Sequence, residues 1–301
     1  MLTALTLGAT LLLQSTAAVA AAGDARSSDI TLDFVVAGPE GEAITDLSPA
    51  DITLKVNGKV RSVTSLEAMS SSERGRNILL LVDEATLYGL EPLAKDAVSQ
   101  LVASLGPGDR IAYVSTRRGR ITTLTPDHST VGTALAAMVT GPGILWTCLS
   151  DMVTSMEALT RTLPRGRSTT LVVLSRGSMY DPSFGTDGGS GCTPRTTALR
   201  HLGEVISAAQ INVQLLTVDH LNRSWGLDTL ARNTGGTSGL VTWSDPGSLE
   251  RTVASTSRYY RASFAADDGA NDRPQRLELR VNRPRVKVQT SPTILIKSPQ
   301  V

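Results

Sequence analysis

The chain has 301 residues, 29 Lys+Arg against 28 Asp+Glu, a formal net charge of +1 and 41% hydrophobic residues. Enough apolar material is present for a core, which excludes global disorder. The balanced charge and the 4% aromatic content speak against a nucleic-acid binder, and two cysteines are too few for a cysteine-cluster metal site.

Residues 1–23 carry no charged side chain. Leu2 to Leu13 is a mostly apolar run, and Ala18-Val19-Ala20 fits a small-x-small cleavage signal. The expectation is a signal peptide over 1–22 and a periplasmic or secreted protein, with no transmembrane segment beyond that region. Residues 30–68 read as strands: Ile30, Leu32, Phe34 and Val36 alternate, as do Ile52, Leu54 and Val56. Asn57-Gly58 predicts a hairpin, with Val60 to Leu66 as one return strand. Residues 69–76 are polar and predict a linker.

From Asn77 the pattern changes. Ile78 to Val82 is a continuous apolar run, which fits a central parallel strand buried on both faces. An amphipathic helix follows, with Leu93, Ala97, Val98, Leu101 and Leu105 on one stripe and Gly106-Pro107-Gly108 as its stop. Ile111 to Val114 predicts a strand and Ile121 to Leu124 an antiparallel edge strand. Arg117, Arg118 and Arg120 lie at the turn between them and read as a solvated edge. Helices are expected over Thr130 to Val139 and around Leu149 to Leu159. Thr169 to Leu174 predicts a second buried strand, and Arg176 to Thr196 a long Gly-rich loop. A helix over Leu199 to Ala209, a strand over Ile211 to Val218, a helix over Leu227 to Arg232, a strand over Leu240 to Trp243 and a helix from about Pro246 follow. After Arg258 the chain is strand-patterned again, at Tyr259 to Phe264, Leu277 to Val281, Val286 to Thr290 and Ile294 to Ile296. The fold class expected is therefore α/β. A doubly wound, mostly parallel, Rossmann-like sheet over 77–257 is inserted into a small β-sandwich made from 30–68 and 258–297.

The segments Ala43 to Ile52, Ile78 to Asp83, Leu105 to Ala112 and Leu230 to Gly236 resemble, as an ordered set, the von Willebrand factor A-like proteins of the acidobacterial type. The resemblance implies an A-domain fold and a binding role. In the metal-binding members a Mg²⁺ ion is held by an Asp-x-Ser-x-Ser loop after the first strand, a Thr from a second loop and an Asp from a third. Here the first loop retains Asp83 but carries Ala85 and Leu87 at the two hydroxyl positions. Thr147 matches the second-loop Thr, and Ser175-Arg176-Gly177 stands where those members have Thr-Asp-Gly. The metal site is thus degenerate, and neither Mg²⁺ nor Ca²⁺ nor any other cofactor is expected. Arg176 is expected to pair with Asp83 or Glu84 in place of the ion. Asp83, Glu84, Thr86, Thr147, Ser175 and Arg176 form the expected ligand face at the carboxyl ends of the strands. Cys148 and Cys192 are expected to form a disulfide.

Other chemistries have weaker support. A receiver-type phosphoacceptor site lacks an acceptor Asp after Leu174, and no Lys lies between positions 96 and 286. There is no Gly-x-Ser-x-Gly elbow or phosphate loop. Of His128, His201 and His220, only His220 has a suitable position for catalysis. The reading is an exported, non-enzymatic adhesion-type module that binds another protein or extracytoplasmic macromolecule. A metal-dependent adhesive domain with rearranged ligands and a hydrolase centred on His220 are the alternatives.

Overall fold

The computed structural model describes residues 29–71, 75–117, 119–120, 122–138, 140, 154–157, 159–160, 167–176, 196–218, 227–265 and 273–296. The expected signal segment, Thr147, both cysteines, Arg118 and His220 lie outside them.

The strands of the α/β unit are β5 (Asn77–Val82), β6 (Arg110–Ser115), β7 (Gly119–Arg120), β8 (Thr169–Ser175), β9 (Ile211–Val218) and β10 (Ser238–Val241). They form one six-stranded sheet in the order β10-β9-β8-β5-β6-β7, parallel except for β7. The two central strands β5 and β8 are buried at every position, which is why their sequence is apolar without alternation. Helices α1 (Glu91–Ser104), α2 (Ser129–Ala136) and α5 (Ser248–Ala254) cover one face, where Leu93, Val98, Leu101, Val131 and Leu249 pack on Ile78, Leu80 and Val172. Helices α3 (Thr196–Ala208) and α4 (Leu227–Asn233) cover the other, where Leu202, Ile206 and Leu230 pack on Leu79, Leu81 and Val173. The edge expected at Ile121 to Leu124 is shorter and lies earlier, at Gly119–Arg120. Beyond it the chain still runs antiparallel beside β6: Thr122 N donates to Tyr113 O at 3.1 Å, Thr122 Oγ1 accepts from the Tyr113 amide at 2.7 Å, and Ile111 and Thr125 exchange backbone bonds.

The remaining strands are β1 (Asp29–Ala37), β2 (Ile52–Val56), β3 (Lys59–Arg61), β4 (Val63–Ser70), β11 (Arg258–Ala265), β12 (Pro274–Val281), β13 (Lys287–Gln289) and β14 (Thr293–Leu295). They form two four-stranded sheets, β13-β1-β11-β4 and β14-β12-β2-β3. Each sheet mixes N-terminal and C-terminal strands, so the sandwich closes around the inserted α/β unit as expected. Leu32, Phe34, Tyr260 and Phe264 of the first sheet meet Leu54, Val56 and Leu277 of the second, with Phe34 and Tyr260 stacked at a centroid distance of 5.6 Å. The return strand expected over Val60 to Leu66 is in fact two. The chain leaves the second sheet after Arg61, breaks at exposed Ser62 and enters the first sheet as β4, so one apolar pattern serves both layers.

The first sheet lies between the second sheet and the α/β unit. Its outward residues Asp33, Val35 and Tyr259 face Ser168, Thr169, Thr170 and Gln210 at the amino ends of β8 and β9. Gln210, with a φ of 54°, presents its side-chain amide to β1, accepting from Asp33 N at 3.1 Å and donating to Thr31 O at 2.6 Å. The carboxyl edge of the parallel sheet therefore points away from the sandwich.

Candidate functional site

Where β5 ends, Asp83 continues the central strand onto the carboxyl edge with no exposed surface. A buried carboxylate must be met by donors. Three hydroxyls from three separate segments do so: Thr86 and Ser175 donate to Oδ2 at 3.0 and 2.9 Å, and Thr116 donates to Oδ1 at 3.0 Å. Thr86 belongs to the turn after β5, Thr116 follows β6 and Ser175 ends β8, so Asp83 ties the three inner strands together. Glu84 is equally buried and accepts from the Tyr113 phenol at 2.7 Å.

Ala85 is 6% exposed and Leu87 is fully buried in the core under α1, so the two positions that would carry hydroxyl ligands are turned inward and supply none. Neither position offers an oxygen to the shell of a Mg²⁺ ion. Asp83, Glu84, Thr86 and Ser175 of the expected ligand face come together but lie beneath the surface. The expected ion pair of Arg176 with Asp83 or Glu84 is not formed. Its backbone N–H donates to Thr86 Oγ1 at 3.2 Å, and its side chain makes no ion pair among the described residues. The reason is strand alternation: Ser175 points at Asp83, so the next side chain along points away. Thr116 and Tyr113 were not singled out in the sequence. Their only signal is position, at the end of a strand next to the one carrying Asp83.

Two large apolar side chains stand on the same edge in solvent. Tyr88, in the loop between β5 and α1, is 47% exposed, and Trp243, two residues past β10, is 61% exposed. Of the histidines, His201 is exposed on α3, and His128 Nε2 lies 3.0 Å from Asp109 O.

The strand sequence β7-β6-β5-β8-β9-β10, numbered within the unit, is 3-2-1-4-5-6, the doubly wound order with its switch point between β5 and β8. Asp83 sits at that switch point. The α/β unit is a doubly wound, Rossmann-like sheet. No family model matches the sequence, and no curated protein does. Among solved structures, a von Willebrand factor type A protein from Catenulispora acidiphila is similar at 11% identity and a TM-score of 0.46, over 91% of this chain and 76% of that one. The conserved hypothetical protein BatB from Bacteroides thetaiotaomicron is similar at 14% identity and 0.41, over 60% and 98%. The pilus adhesin SpaC from Lactobacillus rhamnosus GG is similar at 10% and 0.42, over 80% and 47%.

Proposed function

We propose that this is an exported, non-enzymatic binding module, periplasmic or secreted, that engages another protein through the carboxyl edge of its parallel sheet without a cofactor or divalent ion. The observation that carries this reading is the exposure of Tyr88 and Trp243 on that edge. Amphipathic aromatics are the side chains that anchor protein interfaces, because they bury large area at small entropic cost. The switch point in a doubly wound sheet is also where ligands gather. The inward-turned Ala85 and Leu87 support independence from metal. The uncharged residues 1–23 support export.

A photoactivatable cross-linker at position 243, compared with one at position 53 in the sandwich, tests the reading in the native extract. A cross-linked species is expected from 243 and not from 53, unchanged by chelator and lost in a folded Tyr88→Ala variant. A second reading rests on the three hydroxyls gathered on Asp83, which would serve a metal-dependent domain with rearranged ligands. Saturable micromolar Mg²⁺, Mn²⁺ or Ca²⁺ binding in calorimetry, abolished by Asp83→Ala, would replace the first reading with this one.

A further inference from the structure

The outer face of the β14-β12-β2-β3 sheet is the pole opposite the carboxyl edge. We infer that it is a docking surface for anionic lipid. Strand alternation sends Ile52, Leu54, Val56 and Leu277 into the sandwich and leaves Lys55, Arg276, Glu278 and Arg280 outside. Lys55 pairs with Val60 across β2 and β3, which puts Val60 on the same outer face, where it is 68% exposed. Lys59 is exposed on the rim beside it. Three cations, Lys55, Arg276 and Arg280, thus share the face with one carboxylate among the residues named, Glu278, whose oxygen lies 3.1 Å from Arg276 Nη2. The whole chain carries only +1, so this face holds charge that the rest of the surface compensates.

The chemistry selects lipid over other polyanions. The face is a sheet surface with neither groove nor aromatic side chain among the residues named, so it offers no stacking platform for bases. Long Lys and Arg stems lie along a surface and place their charge at headgroup level. An exposed aliphatic residue between such cations can enter the interface while they hold the phosphates. Docked this way, the molecule presents Tyr88 and Trp243 away from the bilayer. The inference does not depend on the partner of that edge.

The test is co-sedimentation of the full chain with mixed phosphatidylglycerol–phosphatidylcholine vesicles and with pure phosphatidylcholine vesicles. The apolar run at Leu2 to Leu13 is blind to headgroup charge, so the difference between the two vesicles reports the sheet. A preference for the anionic vesicles that weakens with salt is expected. In a Lys55→Gln, Arg276→Gln, Arg280→Gln variant it should fall about fivefold per charge removed, on the order of a hundredfold in all. Glu278→Gln should raise it about fivefold, which a damaged fold cannot imitate. Equal partition into both vesicles, a preference that survives the triple variant, or tighter binding to a single-stranded oligonucleotide than to the vesicles would each overturn the assignment.

Discussion

A carboxylate sealed from water has to be satisfied by the protein, and at Asp83 this task falls on Thr86, Thr116 and Ser175. Asp83→Ala removes the carboxylate that accepts from buried Thr86 and Ser175 and from half-buried Thr116, although Thr86 keeps the Asp83 carbonyl, and the expected loss is about 2–4 kcal/mol in chemical denaturation. Asp83→Asn keeps one acceptor oxygen and should lose roughly half as much. Arg176→Ala is expected to change stability by less than about 0.5 kcal/mol, because its guanidinium holds no buried charge in place. The contrast is diagnostic: a loss of about 3–5 kcal/mol at Arg176 would restore the ion pair that the structure does not contain. Asp83, Ala85, Leu87 and Ser175 were legible as site positions because each is read from the loop that carries it. Thr116 and Tyr113 were not, since contact between neighbouring strands depends on register, which one strand's sequence does not encode.

Among the elements, the switch from β3 to β4 and the short turn before β2 show how little sequence directs a layer change. Pro49–Asp51 forms a single 3-10 turn, in which Asp51 Oδ2 accepts from Ser48 N at 2.8 Å and from Ser48 Oγ at 2.9 Å. These bonds to Ser48, more than the neighbouring Arg283, hold the Asp51 carboxyl below its ordinary value of 3.8. A carboxyl depressed by folding contributes stability that is present above its unfolded value and is lost as pH falls through its lower folded value. The stability difference between the unmutated protein and Asp51→Asn, followed by denaturation from neutral to acid pH, should therefore be constant well above the ordinary value of 3.8 and close towards zero as the pH falls below it. A difference that grows on acidification would contradict the bonding at this turn. At the joint with the α/β unit, Gly235 has a φ of 74°, and an added Cβ would lie 2.3 Å from the carbonyl carbon of Thr290. Gly235→Ala should cost at least about 1–3 kcal/mol, measured by thermal or chemical denaturation, from the left-handed backbone alone.

Over the whole molecule, the two connections between sandwich and α/β unit run side by side. Ser71 N donates to Ser257 O at 2.8 Å. Between them Arg76, 4% exposed, donates to Val253 O and, at 3.0 Å, to Thr256 Oγ1. Its backbone N–H donates to Asp109 Oδ1 at 3.1 Å, and its Nε lies 3.5 Å from Asp109 Oδ2. Burial lowers the pKa of its guanidinium, and Asp109 opposes that shift. Arg76 therefore fastens the end of α5, the loop before β6 and the linker to one point. Arg76→Met keeps the volume but leaves Asp109 buried without its cation, and should cost about 3–5 kcal/mol. Calorimetry of the unmutated protein should show one transition for both units. In the variant the transition should split or move down, and an unchanged single transition would refute the coupling.

By itself the sequence determined the architecture. Unbroken apolar runs at Ile78 to Val82 and Leu171 to Leu174 read as strands buried on both faces, and the alternating segments on either side read as one β unit, because each is too short to stand alone. It also marked the first loop as poor in metal ligands, since Ala85 and Leu87 have no oxygen to offer. What tertiary structure decided was which groups meet across strands. It chose the hydroxyls on Asp83, turned Arg176 away, buried Arg76 at the joint and split one expected strand between two sheets. It also decided where charge accumulates. A chain with a net charge of +1 gathers Lys55, Arg276 and Arg280 on one face because positions 55 and 278 stand opposite each other across two strands more than two hundred residues apart in sequence. Composition averages such charges away, and only the pairing of β2 with β12 brings them to one surface.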